Sequence, residues 1–211
     1  MKTRILFSFA ILFFISIASN AQISKGRYLL GGSSTYNNSE LNNSNNTTSN
    51  IQFGKVIKEN TVVGVMGSIY AAKTHNANSE LTVYNYSAGV FYRKYKPLGK
   101  NFYFLQEVDA TYQHSRGFNS FYYDSQSLLE KSNGAVLSYI PGISYSVMKR
   151  MQIELTMPYL ANVSFTNYKT VDSQLPAGAS PQKANVFSAN INLNSSLLGN
   201  FGIGFKFLLG K

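Results

Sequence analysis

The chain has 211 residues, no cysteine and a net charge of +10. Without cysteine there are no disulfides, thiolate metal sites, cysteine nucleophile or lipidated N-terminal cysteine. Charged residues make up only 13% of the chain while Tyr and Phe number 15 each, against about 25% charged in soluble domains, so an outer surface built for water is not expected.

The first segment, "MKTRILFSFAILFFISIASNAQ", places Lys2 and Arg4 before an apolar run from Ile5 to Ile17 and small residues ending at Ala21. That order is the layout of a secretory signal peptide over residues 1–21. The apolar run is too short for a helix that crosses a bilayer, which needs about 20 residues. The remaining chain, 22–211, is expected to form one domain.

Period-two alternation then recurs along the chain. Strands are predicted over Lys25–Tyr36, Thr48–Ile57, Thr61–Lys73 and Thr82–Tyr95, the last with Tyr84, Tyr86, Ala88, Val90 and Tyr92 opposite Asn85, Ser87, Gly89 and Arg93. Asn101–His114 sets Phe102, Phe104, Val108, Ala110 and Tyr112 against Glu107, Asp109, Thr111 and Gln113. Asn133–Val147 and Met151–Phe165 follow, the latter with Ile153, Leu155, Met157 and Tyr159 opposite Gln152, Glu154 and Thr156. The last strand is predicted from Ala184 to Leu208, with a bulge or bend near Ser195–Gly199. From Phe187 to Phe207, nine of eleven odd positions are apolar, against one of ten even positions.

Eight strands result, and their connections alternate. Lys58–Asn60, "KPLGKN" at 96–101 and Met148–Arg150 are short. Asn37–Thr47, Thr74–Leu81, Ser115–Ser132 and Thr166–Lys183 are longer and mostly rich in Asn, Ser, Thr and Gly. Short turns at one end and long loops at the other are the asymmetry of outer-membrane barrels. A lipocalin-like barrel would turn the apolar set inward and show Lys and Glu to water. Here the polar set is mostly Gly, Ser, Asn and Thr, which suit a narrow interior, with glycines such as Gly64, Gly89, Gly142, Gly202 and Gly204 making room there. The apolar set is aromatic-rich, with Tyr84, Tyr92, Tyr112, Tyr139 and Tyr159 as candidates for interfacial girdles. The expected fold is therefore all-β, an eight-stranded antiparallel up-and-down transmembrane β-barrel with short periplasmic turns and long extracellular loops.

Few residues carry chemistry. Glu107, Asp109 and Glu154 fall on the predicted lumen face, as do Arg93, Lys206 and Arg27; these are expected to pair, because a buried charge without a partner is costly. A gated ion path is the alternative, but an eight-stranded barrel leaves an interior just filled by side chains. His114 and Ser115 lie at the end of one strand and His75 in a long loop. Neighbours on a strand point to opposite faces, so His114 is badly placed to activate Ser115 and no catalysis is expected. No cofactor or metal motif is present. The Lys and Arg residues are spread over turns and chain ends, without the groove that nucleic-acid binding requires. The "YNNSELNNSNNTTSN" tract, with a triplet at Asn46-Thr47-Thr48, reads as a hydrated loop, and such loops are where small barrels meet external partners.

Asn200, Gly202, Phe205 and Phe207 fall at polar-x-Gly-x-x-aromatic-x-aromatic spacing, which resembles the C-terminal signal read by the barrel-assembly machinery. Four residues follow Phe207, where that aromatic is often terminal. Together with units such as "GVFYRKYKPLGKNFYF" and "IPGISYSVMKRMQIEL", the chain resembles the small eight-stranded outer-membrane barrels, the OmpA-transmembrane-like and OmpX-like families. The resemblance implies a Gram-negative outer membrane, lipid as the surrounding partner and assembly by that machinery. It implies no shared activity, since these families share scaffold more than function.

Overall fold

The structure, a computed structural model, describes residues 23–39, 43–75, 79–121, 127–157, 160–172, 182–191 and 202–210. The predicted signal segment, Tyr159, the Ser195–Gly199 bend and Asn200 lie outside them. Ten antiparallel strands are present among the described residues: β1 (Tyr28–Ser39), β2 (Ser44–Lys58), β3 (Thr61–His75), β4 (Ser79–Gly99), β5 (Phe102–Phe121), β6 (Ser127–Met148), β7 (Met151–Thr156), β8 (Ala161–Asp172), β9 (Gln182–Ile191) and β10 (Gly202–Leu209). Consecutive strands pair from β1 through β7; β7 pairs with β10, and β10 returns to β1 with Tyr28 opposite Leu209. Hydrogen bonding therefore runs through a ring of eight strands.

Two predicted strands are each divided. Met151–Phe165 is divided into β7, which ends at Thr156, and β8, which begins at Ala161. Both pieces stay on β6, and Met157 and Leu160 still donate to the Pro141 and Tyr139 carbonyls. The closing strand is likewise two elements, β9 on β8 and β10 on β7 and β1. Odd positions face outward in both, so the parity read from sequence survives the division.

The long connections are much shorter than predicted. β1 and β2 pair up to Ser39 opposite Ser44, β3 and β4 up to His75 opposite Glu80, and β5 and β6 up to Ser120 opposite Ser127. Residues assigned to loops thus continue the sheet as tall hairpins. Alternation fades there because both faces become polar, while backbone pairing needs no particular side chain. Polar cross-strand contacts line these walls: Ser34 with Ser49 at 3.1 Å, Ser164 with Ser188 at 2.7 Å and Asn167 with Asn185 at 2.6 Å. At the opposite end the turns are tight. Lys100 and Asn101 both take left-handed φ, 42° and 69°, the signature of a type I′ hairpin whose twist matches its strands.

Burial is inverted relative to a water-soluble domain. Arg93, Glu107, Asp109, Glu154 and Lys206 are all buried, at 5% exposure or less, while Val65, Val90, Tyr112, Leu137, Phe165 and Ile203 are 52–60% exposed. Outward aromatics gather near the short turns, where Tyr28 stacks on Phe53 at 5.8 Å and Phe102 meets Tyr145 at 4.7 Å. A second group, Tyr84, Tyr86 and Tyr112, lies toward the hairpins. Tyr92 and Tyr139, expected at the edges, lie between the two groups on either side of Val108.

Candidate functional site

The inside of the ring is layered. Beside the short turns, Ile23, Leu29, Val56, Val62, Phe91, Tyr95, Tyr103, Leu105 and Leu208 form one buried apolar cluster, with Met66 against it. Those on strands carry the inward parity, so the interior is greasy at this end where the sequence suggested mostly small and polar side chains. Ile23 precedes the first strand; its carbonyl accepts from Asn60 N at 3.0 Å, which tucks the chain under the ring. Gly54 and Gly64 face each other in β2 and β3 and leave the space that the Phe91 ring occupies; a Cβ on Gly64 would come within 2.7 Å of it.

Above this stopper sits the charged layer, placed by register. Arg93 on β4 lies opposite Glu107 on β5, Glu154 on β7 lies between Ser144 and Gly204, and Lys206 on β10 lies opposite Gln152 and Gly31. Gly31 leaves the space that the Lys206 side chain crosses; a Cβ there would force that side chain to shift. The Arg93 guanidinium ion-pairs with Glu107 and donates through Nη1 to both Glu154 oxygens at 3.1 and 3.0 Å. It also donates to Tyr95 Oη at 3.1 Å and to Gln52 Oε1 at 2.8 Å. Tyr95 Oη donates to Glu154 at 2.7 Å, Gln52 Nε2 to Glu107 at 3.0 Å, and Lys206 Nζ to Gln52 Oε1. Lys206 Nζ is 3.9 Å from Glu154. Two cations thus face two carboxylates, and the network offers Arg93 a partner on nearly every donor, the condition for holding charge out of water.

Asp109 sits one inward step above Glu107. It is buried, its Oδ1 meets no hydrogen-bond partner in the protein, and it borders a cavity of about 100 Å³ that also touches Asn50, Gln52 and Lys206. That space is polar and roomy enough for water. Arg27 is not in the network. It is half-buried beside the short turns, where Nη1 donates to the Lys149 carbonyl at 3.1 Å. The structure therefore brings together Arg93, Glu107, Glu154 and Lys206, sets Asp109 at their edge and leaves Arg27 outside. Gln52 and Tyr95 are members that sequence reasoning missed. Tyr95 shares the parity of Arg93, which was the available signal.

Higher still, the interior opens into a vestibule of about 450 Å³ lined by Asn85, Gln113, Ser115, Asn119, Glu130 and Tyr168 among others. Ser115 faces this space. His114 points the other way, with Nδ1 2.7 Å from Asn133 Oδ1 and Nε2 accepting from Arg116 Nε at 3.0 Å. His75 lies 3.2 Å from Glu80, which also pairs with Lys73 at 2.9 Å. Of the assembly-signal residues, Gly202 opens β10, and Phe205 and Phe207 are exposed on its outward face.

No protein-family model and no curated protein matches the chain. Among solved structures it is similar to a major outer membrane protein from Thermus thermophilus, with a TM-score of 0.52 and 8% identity over 87% of this chain and 99% of that one. At that identity the likeness is one of all-β fold alone.

Proposed function

We propose that the chain is an integral β-barrel protein of a bacterial outer membrane, with a sealed lumen and a structural or surface-interaction role, and without catalysis. The observation that carries this reading is the inversion of burial, ionic groups inside and large apolar side chains outside. Only a surround of acyl chains makes that arrangement favourable, since lipid accepts the apolar face and the ring pairs the backbone groups of its strands. The fold it shares with the Thermus outer membrane protein supports the same reading. So does the signal-like N-terminal segment, and Gly202, Phe205 and Phe207 in β10 fit a strand offered to the barrel-assembly machinery. Within this class, the ring of eight strands agrees with the small barrels that the sequence resembles.

Two other readings are less well supported. Conduction would need a path through the apolar cluster, which Phe91, Leu105 and Leu208 fill. A lipid-modifying activity would need His114 and Ser115 together, but they occupy opposite faces of β5. The long hairpins remain as the surface for an extracellular partner.

Single cysteines test both membrane and orientation, because the chain has none of its own. In intact cells, Asn45→Cys near the β1–β2 hairpin should react with a membrane-impermeant maleimide. Lys96→Cys near the opposite turns should react only after the outer membrane is permeabilised. Equal labelling of both in intact cells, or a mature chain that stays monomeric in detergent-free buffer, overturns the proposal.

A further inference from the structure

The outward face holds one alignment that neither the lumen nor the apolar belt explains. Arg116 on β5 is the direct register partner of Lys131 on β6, Lys131 of Lys169 on β8, and Lys169 of Lys183 on β9. Four cations therefore stand side by side across four adjacent strands, and Tyr84 flanks the row on β4. Like charges directly opposite one another destabilise a sheet. The outward positions just below are Tyr86, His114, Asn133, Asn167 and Asn185, so no carboxylate lies beneath the row. None of the ion pairs found among the described residues involves its members. Glu130, although adjacent to Lys131, faces the vestibule.

The height of the row identifies what it meets. On β5 the outward belt runs from Phe102 to Tyr112 and on β6 from Tyr145 to Ala135, each matching the roughly 9–11 residues of a spanning strand. Arg116 and Lys131 come two outward positions later. At about 3.3 Å per residue and a tilt near 45°, that is about 9 Å above the hydrocarbon edge, at headgroup level. Here a Lys or Arg on the lipid side costs little, unlike at the midplane. The lower rim carries outward lysines too, but they do not line up: Lys94 is flanked by Thr61 and Gln106.

We propose that the Arg116–Lys131–Lys169–Lys183 row is a binding site for a phosphate-bearing lipid headgroup of the outer leaflet, whose acyl chains lie on the apolar wall beneath. Strands spaced about 4.8 Å apart spread the four charges over about 15 Å, suited to a headgroup with more than one phosphate. Arg116 supplies a planar fork and the lysines supply mobile ammonium groups. The site rests on the membrane reading given above.

Native mass spectrometry of the folded protein in neutral detergent tests it, with lipid A as probe and dephosphorylated lipid A as control. Lys131→Gln/Lys169→Gln/Lys183→Gln should weaken lipid A binding at least tenfold and leave the dephosphorylated lipid unaffected. Lys55→Gln/Lys94→Gln/Lys96→Gln, at the other rim, should change neither. Retained heat-modifiable migration on a gel shows that each variant is folded. Equal binding by the first variant and the wild type overturns the site, as does an equal loss in the second variant. Wild-type binding of a soluble sulfated polysaccharide but not of lipid A also overturns it, since the occupant would then be external. A wild type that needs no detergent at all would instead refute the membrane reading.

Discussion

Arg93 is held by two carboxylates, a phenol and an amide, and its removal would strand Glu107 and Glu154 in a water-poor interior. Breaking a buried ion pair from one side costs roughly 3–5 kcal/mol. Arg93→Met should therefore lower the urea midpoint of the folded protein in vesicles by that equivalent, and Arg93→Met/Glu107→Gln should recover part of the loss. Glu107, Glu154, Arg93 and Lys206 were legible in the sequence because charge on a small-residue face has nowhere to go but the lumen. Arg27 was misjudged because parity gives a face but not a height, and at its height the interior has already reached the rim. Gln52 is neutral, and nothing in the sequence hinted that it bridges Arg93, Lys206 and Glu107.

At the scale of elements, the central parts of the strands were readable because the inside and the outside of the ring carry opposite chemistry on alternate positions. Toward the long hairpins both faces are polar, the contrast disappears, and Asn-Ser-Thr runs that pair as strands look like loops. The apolar stopper was hidden for the converse reason: Val62, Phe91 and Leu105 face inward yet are as greasy as their outward neighbours. Turn chemistry also matters at this scale. Asn101 sits at φ 69°, where a β-branched residue is strained by about 1–3 kcal/mol. Asn101→Val should lower stability by that amount in the same urea titration, while Asn101→Gly should be near neutral.

For the whole molecule, the arrangement makes two optical and electrical predictions. The chain has 15 tyrosines and no tryptophan, so its intrinsic emission reports tyrosine alone. Tyr84, Tyr86, Tyr92 and Tyr112 are 47–60% exposed on the outer wall, and brominated acyl chains in reconstituted vesicles should quench a large share of the signal. Planar bilayers containing the wild type should show no steady conductance, whereas Phe91→Ala/Leu105→Ala, which thins the stopper, should introduce brief openings. Steady wild-type currents would put the channel reading ahead of the sealed one.

The hairpins that rise past the belt give the molecule its outer character. On the membrane reading proposed above, β6 alone, with 22 residues, is about twice what a crossing demands, so the protein would stand proud of the bilayer like a palisade. Its rungs are amide ladders rather than supple coils, and side chains on it keep fixed spacings in two dimensions. On that reading, a partner arriving from outside would meet a patterned wall, and single outward positions on it could change without refolding the strands beneath.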